Sequence, residues 1–121
     1  MILVRFMTKR GENRSIPIDK SLFKQLEEHM RTHGRFFDCI KSFRKYLKTT
    51  SIKLPQGQSS HVLRHSFASH FMMNGGNILT LQKILGHSTI IMTMRYAHLA
   101  PEHLKDALIF NPLYSITEGR K

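Results

Sequence analysis

Three short polar clusters in the second half of the chain combine residue types that could act on a phosphate group. They are His61-Val62-Leu63-Arg64-His65, Leu85-Gly86-His87 and Arg95-Tyr96-Ala97-His98. Arginine and histidine are stable among apolar neighbours only with hydrogen-bonding partners, so packing alone gives little reason for three such clusters. A transition state at phosphorus gives a reason, because its oxygens carry negative charge while one hydroxyl loses a proton and another gains one.

Four side chains could divide this chemistry among them. Arg64 could bind the non-bridging oxygens through its planar fork of donors, and His61, one helical turn earlier, could share a proton or hydrogen bond with the same phosphate. Lys9, at the tip of a predicted hairpin, could protonate the leaving 5′-oxygen. The phenol of Tyr96 could be the nucleophile, provided that neighbouring cations and a base activate it.

Charge and composition indicate which kinds of partner and cofactor the protein could have. The chain has 19 Lys and Arg against 8 Asp and Glu, a net charge of +11, which predicts a polyanionic partner, nucleic acid first. The carboxylates are scattered and do not form the cluster that holds Mg²⁺ in two-metal nucleases, so we expect no metal and no other cofactor. No stretch approaches the ~20 apolar residues of a membrane-spanning helix, and no signal peptide opens the chain, so we expect a soluble cytoplasmic protein without membrane contact.

Apolar periodicity and capping residues predict one α+β domain, mainly helical, in which a β-hairpin precedes a helical bundle. The hairpin strands are expected at 2–6 and 14–18, on either side of a polar turn. Local signals for helix starts and stops then predict helices at 20–33 after Asp19, at 36–48, at 61–74 after Ser59 or Ser60, and at 78–85 between Asn77 and Gly86. Two further helices are predicted: one that Ser88 can cap and that includes Met92 and Tyr96, and a last one with Pro101 in its first turn.

The helix at 36–48 has a basic face that could bind DNA. Its apolar stripe leaves four cations on the other side, Lys41, Arg44, Lys45 and Lys48. Arg10, at the hairpin tip, is a further candidate for DNA contact. An ordinary solvated face explains the four helical cations equally well, so this alternative stays open.

The helix at 61–74 invites two other interpretations. Its His61 and His65 have a zinc-binding spacing, but Val62 occupies the position of the glutamate that a zincin protease requires, which argues against zinc catalysis. We therefore expect His65 to be structural, and His70 to be a hydrogen-bonded core residue. The single cysteine, Cys39, is expected to be buried as a small hydrophobe.

Taken together, the clusters resemble the signature boxes of the tyrosine recombinase (phage integrase) family. The boxes are His61-x-x-Arg64-His65 followed by Ser66-Phe67-Ala68-Ser69, Leu85-Gly86-His87 and Tyr96-Ala97-His98. Thr8-Lys9-Arg10-Gly11 with Arg14-Ser15-Ile16-Pro17-Ile18 also resembles the lysine-bearing hairpin of that family. The match runs from Ile2 to about Asn111-Pro112-Leu113. The sequences of its motifs are most similar to those of the integrases of temperate tailed phages.

The resemblance implies a function and a set of roles. The family cuts and rejoins double-stranded DNA at attachment sites through a 3′-phosphotyrosine, works as a tetramer, and carries out phage and prophage integration and excision. It implies that Lys9 is the general acid, that His61 and Arg64 bind the scissile phosphate, that His87 donates a hydrogen bond, and that Tyr96 is the nucleophile.

One departure from the family leaves two hypotheses. A further essential arginine of the family lies upstream of the hairpin in a box like Ala-x-Arg-x-x-Glu, and no such box precedes Ile2. We therefore expect residues 1–121 to be the C-terminal part of an integrase catalytic domain, without the N-terminal DNA-binding domains, and inactive alone. The alternative is a non-catalytic DNA-binding remnant of a prophage integrase. For the apolar tail, residues 100–121, the hypothesis is exchange between subunits in the full enzyme, and the alternative is docking on its own domain.

Overall fold

The hairpin forms as predicted. The structure is a computed structural model that describes residues 1–8 and 10–113. Strands β1 (Ile2–Met7) and β2 (Asn13–Ile18) pair antiparallel, with Ile2 opposite Ile18 and Met7 opposite Asn13. Gly11 has a φ of 79°, which suits a residue without a side chain at this turn.

The next two helices differ in how well local signals set their ends. Helix α1 (Lys20–His33) has the predicted bounds, because the Asp19 carboxylate accepts a hydrogen bond from the Leu22 amide at 2.9 Å. Helix α2 (Ile40–Leu47) begins four residues later than predicted. Phe36 instead stacks on His29 with ring centroids 4.2 Å apart, and the Asp38 carboxylate accepts from the Ile40 amide at 3.0 Å.

The second half is a series of helices, α3 (His61–Met73), α4 (Ile78–Leu85), α5 (Ile91–Met94), a 3₁₀ turn (Ala97–Leu99) and α6 (Asp106–Ile109). The Asn77 side chain caps α4 by accepting from the amides of Leu79 and Thr80, and Gly86 ends it in the left-handed conformation at φ 64°. The predicted α+β, mainly helical fold class is confirmed.

One expected helix cap and two expected helix starts are wrong. Neither serine hydroxyl caps α3, since Ser60 has helical backbone angles and the Ser59 hydroxyl accepts from Arg44 Nε at 3.3 Å. Ser88 starts no helix, and Tyr96 lies between α5 and the 3₁₀ turn rather than within a helix. Pro101 lies in an irregular segment, and the last described helix begins at Asp106.

The core lies where α3, α4, α5 and the 3₁₀ turn meet. Its buried apolar residues are Ala68, Met72, Leu81, Leu85 and Tyr96. Helix α3 buries Ala68 and Met72, while Leu63 is 60% exposed and Phe67 48% exposed. Nearer the start of the same helix, His65 is half-buried, and His61 and Arg64 are exposed. The polar residues of α3 are therefore held at the edge of the packed part of the molecule.

Two expected core residues lie at the surface. His70 is exposed near the end of α3, because the buried side of that helix is the one that carries Ala68 and Met72. Cys39 is also exposed, at the start of α2. Helices α1 and α2 contain no buried residue. Within the described ranges, no helix is long and apolar enough to cross a membrane.

Candidate active site

One cleft of about 490 Å³ brings most of the chemically distinctive side chains together. Its lining residues come from α3, from the turn after α4 and from the segment around α5: His61, Arg64, His65, His87, Ile91, Met92, Arg95 and Tyr96. Four of the five predicted catalytic residues are among them. The fifth, Lys9, lies outside the described residues.

Two arginines meet at the end of α4. Arg64 donates from Nη2 to the Leu85 carbonyl at 2.5 Å, and Arg14, on β2, donates from Nη1 to the same carbonyl at 2.9 Å. Arg14 also donates from Nη2 to the Gly86 carbonyl at 3.4 Å. Carbonyls at a helix C-terminus have no partner within the helix, and cations there are favourable. The two guanidinium groups therefore fasten α3 and the hairpin to the turn that carries His87.

His87 is fixed through both its backbone and its ring. Its amide donates to the Gln82 carbonyl, and its own carbonyl accepts from Gln82 Nε2, both at 3.1 Å. Its Nδ1 lies 2.9 Å from the hydroxyl of Thr93, which is fully buried. Among the described residues, Nε2 has no hydrogen-bond partner, so this nitrogen is available to a bound molecule.

Burial lowers the pKa of His87 below its usual value of 6.5, and the positive charges of Arg64, Arg14 and Arg95 lower it further. The ring is therefore neutral at pH 7. A neutral imidazole carries one N–H, so if the Thr93 hydroxyl donates to Nδ1, the ring proton is on Nε2.

Tyr96 is both a core residue and a lining residue of the cleft. It is only 6% exposed, and its hydroxyl lies 2.5 Å from Nδ1 of His65. The guanidinium carbon of Arg95 lies 5.8 Å from the centre of the Tyr96 ring, within range of a cation–π contact. The phenol is thus held between a histidine on α3 and a cation of its own segment.

The predicted DNA-binding residues lie elsewhere. Arg10 is exposed in the hairpin turn. Three cations of α2 and the lysine that follows this helix are also exposed and do not line the cleft: Lys41, Arg44, Lys45 and Lys48. Arg44 and Lys48 border a separate groove of about 520 Å³, whose apolar wall includes Leu47, Ile52 and Leu54. No group of three or more histidine, cysteine or acidic side chains within residues 1–8 and 10–113 could hold a metal ion.

The chain is similar to known integrases over most of its length. A family model described as the phage integrase family matches residues 1–103. The chain belongs to the phage integrase family. The integrase of Escherichia phage 186 is 57% identical over 114 residues, which cover 93% of this chain and 33% of that protein.

Solved integrase structures share the fold. The catalytic domain of the integrase of Haemophilus phage HP1 has a TM-score of 0.80 at 54% identity and covers 92% of this chain and 66% of that one. An integrase of the transposon Tn1549 has a TM-score of 0.54 at 22% identity, covering 85% and 40%. The chain spans about a third of the length of the curated integrases it matches.

Proposed function

We propose that this chain is part of the catalytic domain of a site-specific DNA recombinase that integrates and excises phage DNA in the cytoplasm. The observation that carries the proposal is the meeting of Arg64, His87 and Tyr96 at one cleft. A guanidinium, a ring N–H donor and a phenol around one cavity suit attack on a phosphodiester, where charge on the oxygens must be met by fixed donors.

In the proposed reaction the Tyr96 oxygen attacks the scissile phosphorus and displaces a 5′-hydroxyl, which leaves a 3′-phosphotyrosine. Arg64 and His61 bind the non-bridging oxygens, and His87 donates to one of them from Nε2. Lys9 gives the leaving oxygen its proton. Because the phosphotyrosine is itself a phosphodiester, a second strand's hydroxyl can reverse the step without an external energy source.

Double-stranded DNA is the proposed substrate and partner. The net charge of +11 and the exposed cations at Arg10 and on α2 favour a polyanion. The transposon integrase of similar fold was solved in complex with a circular intermediate DNA. We assign Arg10, Lys41, Arg44, Lys45 and Lys48 to phosphate contacts outside the cleft.

We also propose that the full enzyme works as a tetramer on DNA and that residues 100–121 are exchanged between its subunits. Leu104, Leu108, Ile109 and Phe110 are each more than 60% exposed, which is costly for residues of this type unless a surface covers them. Tyr114 to Lys121 lie outside the described residues. Sedimentation of a chain cut after Ala100 tests the idea, and an unchanged association state would contradict it.

The catalytic proposal is tested with a hybrid integrase, in which this chain replaces the matching part of the Haemophilus phage HP1 integrase. A nicked suicide substrate carrying that phage's attachment site should trap a covalent protein–DNA adduct. Tyr96→Phe should abolish the adduct and leave the melting temperature and the DNA affinity nearly unchanged. The 121-residue chain alone should bind DNA without forming an adduct.

The alternative, a DNA-binding remnant, predicts a different result. A folded hybrid integrase that binds the attachment site but forms no adduct would favour the remnant. The presence of His61, Arg64, His87 and Tyr96 at one cleft supports the enzyme, because a protein that only binds DNA has no need of a phenol beside these cations.

A further inference from the structure

His65 is hydrogen-bonded to the hydroxyl of Tyr96, the proposed nucleophile. Its Nδ1 lies 2.5 Å from the Tyr96 hydroxyl, and the two rings are tilted, with centroids 6.1 Å apart. In the described part of the chain this is the one hydrogen bond of the Tyr96 hydroxyl. The two atoms are within hydrogen-bonding distance, so a proton can pass directly between them.

We propose that His65 is the base that removes the proton of Tyr96, an inference that rests on the proposed function. As the Tyr96 oxygen forms its bond to phosphorus and the bond from phosphorus to the 5′-oxygen breaks, the phenolic proton moves to Nδ1 of His65. The imidazolium returns this proton to the tyrosine oxygen when the second strand's hydroxyl attacks the phosphotyrosine. No oxidant, metal or further reactant is needed to balance either step.

The geometry favours His65 over its neighbours for this role. His61 lies one turn earlier on α3 and lines the same cleft, but it is exposed and has no hydrogen bond to Tyr96. His87, in the turn after α4, directs Nδ1 to Thr93 instead. His65 is half-buried beside the phenol, so its ring is held in place by packing.

The other charged groups of the cleft lie where they would stabilise negative charge on the tyrosine oxygen and on the phosphate. Arg64 lies next to His65 on α3, His61 and His87 face the same cavity, and Arg95 lies over the Tyr96 ring. Because these groups are cationic or neutral, negative charge that develops on the tyrosine oxygen and the phosphate is met by fixed positive charge. Among the described residues, no carboxylate lines the cleft, so none forms an ion pair that would keep His65 protonated.

The proton position on the His65 ring provides the first test, made on the full 121-residue chain. Proton acceptance requires a neutral ring with the hydrogen on Nε2 and a bare Nδ1. We expect long-range ¹H–¹⁵N spectra at pH 8 to show this tautomer, and Tyr96→Phe to change the Nδ1 shift. A hydrogen on Nδ1, which would make His65 the donor to the tyrosine oxygen, would overturn the proposal.

The second test separates proton transfer from positioning in the hybrid integrase. An asparagine side chain places a polar atom near the position of Nδ1 but cannot take up a proton. His65→Asn should therefore lower the rate of adduct formation at pH 7 about 10²-fold or more, with an unchanged melting temperature. The deficit should shrink as the pH rises, and added imidazole should partly restore cleavage by His65→Ala.

His70→Asn, an exposed change on the same helix, is the matched control and should cleave at the unaltered rate. Cleavage by His65→Asn at the unaltered rate would sink the proposal, even if Tyr96 remains essential. Absence of an adduct with the unaltered hybrid integrase would instead count against the proposed function, and the tautomer spectra of the 121-residue chain would then decide about His65.

Discussion

The guanidinium of Arg14 occupies the space that a side chain at Gly86 would need. A Cβ built on Gly86 would lie 1.8 Å from the Arg14 guanidinium carbon, and Arg14 donates to the Leu85 carbonyl immediately before it. The absence of a side chain at Gly86 thus lets the hairpin reach the turn that carries His87. This contact links the two halves of the chain next to the cleft.

Gly86→Ala should destabilise the chain through two effects. Alanine at a φ of 64° is strained by about 1 kcal/mol, and its methyl group would displace Arg14. Gly57→Ala is the matched control, because Gly57 has a φ of 80° with nothing within 4 Å of its added Cβ. Urea denaturation should show a loss for Gly86→Ala about 1 kcal/mol larger than for Gly57→Ala, and equal losses would contradict the role of Arg14.

Arg14→Lys should loosen the His87 turn while preserving charge. Lysine cannot present two donors to the Leu85 and Gly86 carbonyls in the way that a guanidinium does. We expect about 1–2 kcal/mol lower stability and faster hydrogen exchange at the amides of Gly86 and His87. Arg5→Lys, an exposed change on β1, should have little effect, and similar exchange rates in both variants would contradict the prediction.

The pH dependence of stability should contain a contribution from His87. Its pKa in the folded chain is lowered by burial and then by the charges of Arg64, Arg14 and Arg95, so the unfolded chain binds more protons in mildly acidic solution. The stabilising contribution is complete above about pH 6.5 and is lost as the pH falls through the folded pKa. His87→Asn should flatten this part of the unfolding free energy profile, and parallel curves below pH 6.5 would contradict it.

The origin of the lowered pKa can be tested by removing one charge. In Arg95→Gln, an NMR titration should give a higher pKa for His87 than in the unaltered chain, because one of the positive charges is lost. Burial, the largest cause, remains, so the pKa should stay below 6.5. An unmoved titration curve would show that Arg95 does not act on His87.

DNA affinity should depend on the basic face of α2. If Lys45 contacts a phosphate, Lys45→Ala should reduce the slope of log K against log salt concentration by about 0.9. Lys24→Ala, on α1 beside Glu27 and Glu28, removes the same charge from another surface and is the control. Equal slopes in the two variants, measured by fluorescence anisotropy on double-stranded DNA, would favour the ordinary solvated face.

Helix ends that depend on one neighbouring residue could be predicted from the sequence. Asp19 and Asn77 cap α1 and α4 by hydrogen bonds to amides two or three residues away, and Gly34 and Gly86 end the same helices with positive φ. Capping and glycine conformation are local, so no knowledge of the tertiary fold is required.

Features that depend on distant contacts could not be predicted in this way. The late start of α2 follows from the Phe36 ring stacking on His29, and the exposure of Leu63 and Phe67 follows from which side of α3 meets α4. Tyr96 lies outside a helix, because α5 ends at Met94 and the 3₁₀ turn begins at Ala97.

The candidate site was predictable to the extent that its residues lie in compact motifs. His61, Arg64, His87 and Tyr96 stand out as polar types in apolar surroundings, and the structure brings them to one cleft. Arg14 has no such signal, because the carbonyls it binds are 71 and 72 residues away in the chain.

The small core of the chain has a mechanical consequence. Because Tyr96 is one of the five buried apolar residues in the described part of the chain, a motion of its ring toward a DNA duplex would also remove the ring from the packing, at a cost of about 2 kcal/mol. In the proposed function, contacts with DNA would offset this cost. A molecule without DNA has no such contacts to offset it. Without DNA, packing therefore favours the buried position of the Tyr96 ring, in which its hydroxyl contacts His65.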